Sequence, residues 1–219
     1  MDKRIRLAGG IKVKHKRLPL GIYQANCYIV WDEQSRKAVV IDPGGDFEEL
    51  KTFIENNGLN VEYIILTHGH GDHIGAAAEA KEYYNAKIMI HADDYEMLKK
   101  SDKNYSSQMG YKRIEIEADK KLAHGDIIKV GNVSLEIIHT PGHTKGSICI
   151  KCENKIFSGD TLFAGSIGRT DLEGGSFNNI ITSINEKLLI FPDNTEVYPG
   201  HGPSTTIGTE KKYNPFLRG

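Results

Sequence analysis

Five times along this chain an apolar, β-branched run ends in a short Gly- or Pro-rich loop that carries His or Asp: VVIDPGG, YIILTHGHGDH, LEIIHTPGHT, KIFSGDT and TEVYPGH. Runs of this composition are strands. The ends of strands are where a rigid scaffold presents chemically active side chains. Five such loops can converge on one edge of a β-structure, which restricts the chain to folds whose strands deliver them there.

The first half alternates strands with helices. Strands are expected at Cys27 to Trp31, Lys37 to Ile41, Val61 to Leu66 and Lys87 to Ile90. Helices are expected at Asp46 to Asn56, opening at an Asp cap, at His73 to Tyr84 and at Ala92 to Lys100. After about Lys112 the texture changes to short strands at Ile127 to Val130, Val133 to Ile138, Ser147 to Lys151 and Lys155 to Phe157, joined by Gly-Asn and Glu-Asn turns that suit antiparallel hairpins. A helix at Asn178 to Leu188 and a strand at Thr195 to Tyr198 follow. The class is α/β (α+β). Two sheets packed face to face with helices outside would bury these faces. No linker, low-complexity tract or repeat divides residues 1–219, which read as a single domain.

Composition excludes several functions. Lys and Arg number 28 against 29 Asp and Glu, scattered rather than clustered, so a nucleic-acid or anionic-lipid partner is not expected. The longest apolar run, Cys27 to Trp31, is far short of the roughly 20 residues of a membrane span. Met1 to Arg6 is charged and no apolar core of a secretory signal follows it. Three cysteines, Cys27, Cys149 and Cys152, are an odd count and too few for a disulfide framework. Together these features point to a cytoplasmic location. Cys149 and Cys152 spell C-x-x-C within a strand, where residues three apart face opposite ways, so they are expected to be two small core side chains.

The sharpest motif is Thr67-His68-Gly69-His70-Gly71-Asp72-His73. His68 and His70, two apart in an extended loop, point the same way, with Asp72 and His73 at the following helix start. Imidazole nitrogen and carboxylate oxygen suit Zn²⁺, Mn²⁺ or Fe²⁺. Four donors in six residues crowd a single tetrahedral site, and two neighbouring metals completed from elsewhere in the chain are the natural alternative. His143, Asp160 and His201 each follow a Gly at another strand end, and Asp160 is the candidate bridge. His139 lacks a preceding Gly, while His15, His91 and His124 match no metal spacing and are expected to be surface or hydrogen-bonded residues.

On THGHGDH at 67–73, HTPGHTKGS at 139–147, SGDTLF at 158–163 and YPGHG at 198–202, the sequence resembles the metallo-β-lactamase fold superfamily and, within it, the hydroxyacylglutathione hydrolases (glyoxalase II). Gly168 to Asp171, with the tail from Thr205 to Leu217, resembles their short, single-domain bacterial type. The resemblance implies a four-layer αββα sandwich of two mixed β-sheets flanked by helices. It implies one metal on His68, His70 and His143, a second on Asp72, His73 and His201, and Asp160 between them. Asp42 resembles the family's carboxylate beneath the site, orienting a ligating imidazole; a plain turn-forming Asp is the competing reading. Arg169 aligns with a basic glutathione-contacting position, but two family Tyr positions align with Asp171 and Pro203. Arg169 is thus either a clamp for a substrate carboxylate or the partner of Asp171.

Two divalent ions, zinc first with iron or manganese as alternatives, bring a shared water's pKa towards neutrality and polarise a carbonyl. The expected reaction is attack of a metal-bridging hydroxide on a small-molecule thioester, with Asp72 catalytic as proton acceptor, because a thiolate departs without the general acid an amine needs. No G-x-S-x-G elbow appears and the thiols match no nucleophile signature. The bridging position is Asp160, where well-known zinc β-lactamases have Cys or Ser. Other expectations are an ester or lactone hydrolase of the same fold, or a persulfide-dioxygenase-like enzyme with one iron on His68, His143 and Asp160. Metal-dependent RNA processing shares the ligand pattern but lacks a basic arm here.

Overall fold

A computed structural model describes residues 13–218; the charged start at Met1 to Arg6 lies outside them. One six-stranded sheet has the order β1 (Val13–Leu20), β2 (Ala25–Asp32), β3 (Lys37–Ile41), β4 (Asn60–Ile65), β5 (Lys87–His91) and β6 (Lys120–Leu122). Its first three strands are antiparallel and β3 to β6 are parallel. Helices α1 (Phe47–Asn56), α2 (Gly71–Ile74), α3 (Ala77–Tyr84) and α4 (Tyr95–Leu98) fall within the β3–β6 half. The second sheet contains β7 (Ile127–Val130), β8 (Val133–His139), β9 (Ile148–Cys152) and β10 (Lys155–Gly159) as an antiparallel meander. The small pair β11 (Leu162–Phe163) and β12 (Ser166–Ile167) follows, then α5 (Phe177–Ser183). Strand β13 (Glu196–Pro199) joins β10 in parallel, β14 (Thr205–Thr206) lies outside β13, and α6 (Ile207–Tyr213) ends the chain.

Three apolar layers make this a four-layer αββα sandwich. Alternating side chains of β2 divide between two of them. Cys27, Ile29 and Trp31 pack under the helices with Leu50, Ile54 and Ala80, while Tyr28 and Val30 face the second sheet. This two-sided burial explains the unbroken apolar run Cys27 to Trp31. Leu135, Ile137, Ile150 and Phe157 supply the opposing half of the inter-sheet layer. The third layer joins Ile138, Cys149, Ile156 and Val197 to Ile180, Ile184 and Leu188 of the last helical segment. Cys149 and Cys152 fall in different layers, both buried and unpaired, as the strand period requires.

The structure departs from the sequence reading in definable ways. The helix expected at His73 to Tyr84 breaks in two because the Ala76 amide donates to the Pro43 carbonyl rather than continuing the helical ladder. The segment after β5 begins as a 3₁₀ turn, Ala92–Asp94, whose Asp93 amide donates to His91 Nδ1. Asp46 stands at the start of α1 in the left-handed region with no capping bond, and its carboxylate accepts the Gly21 amide instead. The helix expected at Asn178 to Leu188 widens after Ser183 into one π-type turn, Ile184–Leu188. Strands β1, β6, β11, β12 and β14 and helix α6 had no place in the sequence reading; β6, β11, β12 and β14 have three residues or fewer.

Phe157 is the largest completely enclosed side chain of the inter-sheet layer, with the Tyr28 ring at 5.0 Å and the Tyr198 ring at 5.5 Å. Phe157→Ala is expected to lower stability by about 3–5 kcal/mol, measured by denaturant unfolding. A loss below about 1 kcal/mol would mean that the two sheets close over the gap.

Candidate metal centre

The strand directions bring the five loops together. In the first sheet β3 and β4 run in parallel; in the second, β8, β10 and β13 share one direction, because β8 and β10 are each antiparallel to β9 and β13 is parallel to β10. Backbone bonds fasten the two sheets at this edge: the Ile148 amide donates to the Thr67 carbonyl and the Asn26 amide to the Gly200 carbonyl, at 2.9 and 2.7 Å. Tyr28 Oη and Asn26 Nδ2 both donate to the Pro199 carbonyl.

The seven donors singled out in the sequence meet here in contiguous groups. His68, His70 and His143 form one, Asp72, His73 and His201 a second, and His68, His73 and Asp160 a third that joins them, the donor atoms of each group lying within 4.8 Å of one another. His143 Nε2 is 3.0 Å from His70 Nδ1 and 3.3 Å from His68 Nε2. His201 Nε2 is 3.3 Å from His73 Nε2 and 3.2 Å from Asp72 Oδ2. Asp160 lies between the groups, Oδ1 3.4 Å from His73 Nε2 and Oδ2 3.7 Å from both His143 Nε2 and His201 Nε2. Gly200 makes this approach possible, since a Cβ there would stand 2.2 Å from Asp160 Oδ1.

The outer contacts decide which nitrogen faces inward. Asp42 Oδ2 accepts from His73 Nδ1 at 3.0 Å and from Thr67 Oγ1, while its Oδ1 accepts the Thr67 amide. Asp42 takes a left-handed backbone, φ 51°, which a side chain tolerates only when its surroundings fix it. Thr67 Oγ1 donates its hydrogen bond to Asp42, so His68 Nδ1 donates to Thr67 Oγ1 at 3.2 Å and Nε2 keeps a lone pair. His143 Nδ1 donates to the Arg169 carbonyl at 2.8 Å, with the same consequence.

These residues fit divalent cations. Four donors around a zinc at about 2.0–2.1 Å are spaced about 3.3 Å apart, the spacing seen here. Facing lone pairs at that distance repel unless a proton or cation lies between them. Asp160 Oδ1 is buried with no hydrogen-bond partner among the described residues, a carboxylate oxygen aimed into the cluster. Burial, reinforced by the neighbouring imidazoles, holds His70 neutral down to about 3 and His68 well below its ordinary value, the ligating form. Burial alone would also lower His73, but Asp160, Asp72 and Asp42 outweigh it and raise His73 to about 10, so in the metal-free protein a proton takes a cation's place. Burial pushes the Asp72 carboxyl upward, yet His73 and the His201 bond prevail and hold it far below the usual range.

The centre floors a cavity of about 550 Å³ walled by Tyr23, Tyr105, Met109, Phe163, Ile167 and Leu172. Arg169 also lines it, but its guanidinium makes two 2.7 Å bonds to the Asp171 carboxylate. The remaining histidines lie elsewhere. His139 stacks on His91 at 3.9 Å and 13°, its Nε2 donating to the Lys145 carbonyl, and its backbone amide donates to His124 Nδ1. Asp93 is near this pair, but nearly parallel rings aim their lone pairs side by side, which does not suit chelation. His15 packs edge-on against Tyr198.

Sequence reasoning missed the cavity walls, which lie in segments without strand or helix periodicity. It also missed Asp94, a fully buried carboxylate between the loops carrying His68, His70 and His143. Its signal was present: KIMIHADD is a sixth strand running into His and Asp, without the Gly or Pro that marked the others.

The shifted histidines predict the pH response of the metal-free protein. His68 and His70 bind a proton when unfolded but not when folded, so their stabilising effect is complete above about pH 6.5 and declines below it. His73 behaves oppositely, its contribution complete below pH 6.5 and lost as pH rises towards 10. Melting temperatures of chelator-treated protein are therefore expected to peak near pH 6.5, and His73→Asn should remove the alkaline decline. A flat profile from pH 5 to 9 would contradict these assignments.

Residues 20–201 match the metallo-beta-lactamase superfamily. The probable metallo-hydrolase YqgX of Bacillus subtilis is 39% identical over 211 residues, covering 94% of this chain and 99% of that protein. The hydroxyacylglutathione hydrolase GloC of Haemophilus influenzae is 40% identical over 204 residues, covering 91% and 96%. Among solved structures, the B3 metallo-beta-lactamase BLEG-1 superposes with TM-score 0.90 at 39% identity over 94% of this chain and all of that one. TTHA1623 in a di-iron-bound form superposes with TM-score 0.82 at 34% identity over 92% and all of that chain. Sequence, fold and the donor cluster at the strand ends agree, and the chain belongs to the metallo-β-lactamase superfamily as a metallo-hydrolase.

Proposed function

We propose that this protein is a binuclear hydrolase of small thioesters, acting in the cytoplasm. The observation that carries the reading is the pair of three-donor groups joined by Asp160 on the floor of a largely apolar cavity. His68, His70 and His143 would hold one divalent cation, Asp72, His73 and His201 the other, with Asp160 shared. Zinc is the first choice, and the di-iron form of TTHA1623 keeps iron in view. Bound there, two such cations supply a hydroxide nucleophile near neutral pH and polarise a substrate carbonyl.

The chain's own residues supply the rest. Asp72, with its carboxylate on the cavity wall and held ionised, is placed to take the nucleophile's proton. The bonds of Asp42, Thr67 and the Arg169 carbonyl hold the imidazoles in the tautomer that leaves their inner nitrogens free. Among the described residues, neither Cys nor Lys lines the cavity. Burial pushes the Cys149 and Cys152 thiols up to about 11, which disfavours a covalent route. A leaving group that departs as its own anion, such as a thiolate, needs no acid from the wall. The likeness to GloC supports a glutathione thioester as the first substrate to test. With Arg169 already bound to Asp171, the aromatic and aliphatic wall would carry most of the substrate binding.

The likeness to BLEG-1 favours lactam hydrolysis as a second reading. Its leaving amine needs a proton that the cavity wall is poorly equipped to give. We expect elemental mass spectrometry to find two metals per chain, and S-lactoylglutathione or another small thioester to be turned over faster than a chromogenic cephalosporin. Asp160→Ala is expected to lower both metal content and hydrolysis, the latter by about 100-fold or more. One iron per chain with no hydrolysis of any thioester or ester would refute the reading, and a preference for the cephalosporin would replace it by the second.

A further inference from the structure

Asp94 is at the end of the 3₁₀ turn after β5, fully buried, and its hydrogen-bond partners are not the seven donors but their loop neighbours. Its carboxylate collects three bonds from two loops. Oδ2 accepts the amide of Gly69, between His68 and His70, at 3.1 Å, and the hydroxyl of Thr144, next to His143, at 2.7 Å. Oδ1 accepts the amide of Gly146 in the same loop as His143, at 2.7 Å. The Thr144 hydroxyl spends its proton on Asp94, so the Ser147 hydroxyl, whose oxygen also accepts the Thr144 amide, donates to Thr144 Oγ1 at 2.7 Å.

The fit leaves no slack. A Cβ on Gly146 would stand 2.5 Å from the Asp94 amide nitrogen, and one on Gly69 would stand 2.8 Å from Met97 Sδ. All three donors are neutral, so the carboxylate is buried without a cationic side chain bonded to it. Such a charge is costly to bury unless a counter-charge is close. The bonds fall at Gly69, between His68 and His70, and at Thr144 and Gly146, beside His143, whereas Asp72 and His73 of the second group lie farther along, in α2.

We propose that Asp94 is a positioning residue for the first metal group. It fixes the separation between the His68–His70 loop and the His143 loop, adds negative charge behind them, and so sets that group's affinity for a divalent cation. The proposal rests on the two-cation reading, and its test reads metal binding rather than turnover.

The test places Asp94→Asn in two backgrounds: His201→Ala, which keeps the donors of the first group, and His143→Ala, which keeps those of the second. Co²⁺ titrations followed by visible absorption should show ~10–100-fold weaker binding in the first background and less than about twofold change in the second. Equal weakening in both, or none in the first, would overturn the proposal. Thr144→Val removes one bond and keeps the charge; it should weaken the first group about threefold to tenfold and decides the matter if Asp94→Asn fails to fold. A chain with neither substitution that takes up one Co²⁺ overturns the two-cation reading alone, and the affinity ratio in the His201→Ala background still tests Asp94.

Discussion

Crowded lone pairs govern this structure. Five imidazoles and two carboxylates present donor atoms to one another at 3.0 to 3.8 Å, mostly out of water, with His201 on the open side. Such a cluster is unfavourable by itself, because desolvated acceptors facing each other have nothing to accept from. Cations relieve it, and until they bind a proton on His73 does part of that work. The rest of the molecule can be understood as the framework that holds these groups together against their mutual repulsion.

That framework is the inter-sheet layer. The donors come from loops after β4, β8, β10 and β13, and Asp42 beneath them follows β3, so their relative positions are set by how one sheet lies on the other. Phe157, Tyr28 and Tyr198 fix that relation through packing, and Tyr28 continues it into the site by donating to the Pro199 carbonyl two residues before His201. Packing and chemistry therefore share residues. A core substitution in this layer changes donor spacing as well as stability, which is why interiors packed at crystal density transmit such changes.

The sequence made the donors legible because each carried a local signature: a strand, then Gly or Pro, then His or Asp. It made the layers legible because β8 alternates apolar with polar positions and β2 is apolar on both faces, patterns that survive tertiary context. What it hid depends on long-range partners. The break between α2 and α3 comes from Pro43, far from the break in sequence, and the short strands β6, β11, β12 and β14 exist by pairing rather than by propensity. Asp94 was hidden for the same reason. Its strand end, KIMIHADD, lacks the Gly or Pro that marked the other loops, and only the fold brings Gly69 and Gly146 to its two oxygens.

The donor set does not by itself choose the substrate, since relatives with this fold are described both as hydroxyacylglutathione hydrolase and as β-lactamase. The choice lies with the walls. Tyr105 packs against His70 at 5.5 Å, and its hydroxyl accepts the Glu173 amide, so the segment before β6 and the segment after β12 hold each other above the centre. Lys103 and Glu173 reinforce the contact only as an exposed ion pair, which contributes little. On the proposed reading the chemistry is anchored in the most constrained part of the molecule, while recognition falls to two surface segments that meet at Tyr105 and Glu173. Loops of this kind can change without disturbing the core, so one metal centre can serve different leaving groups.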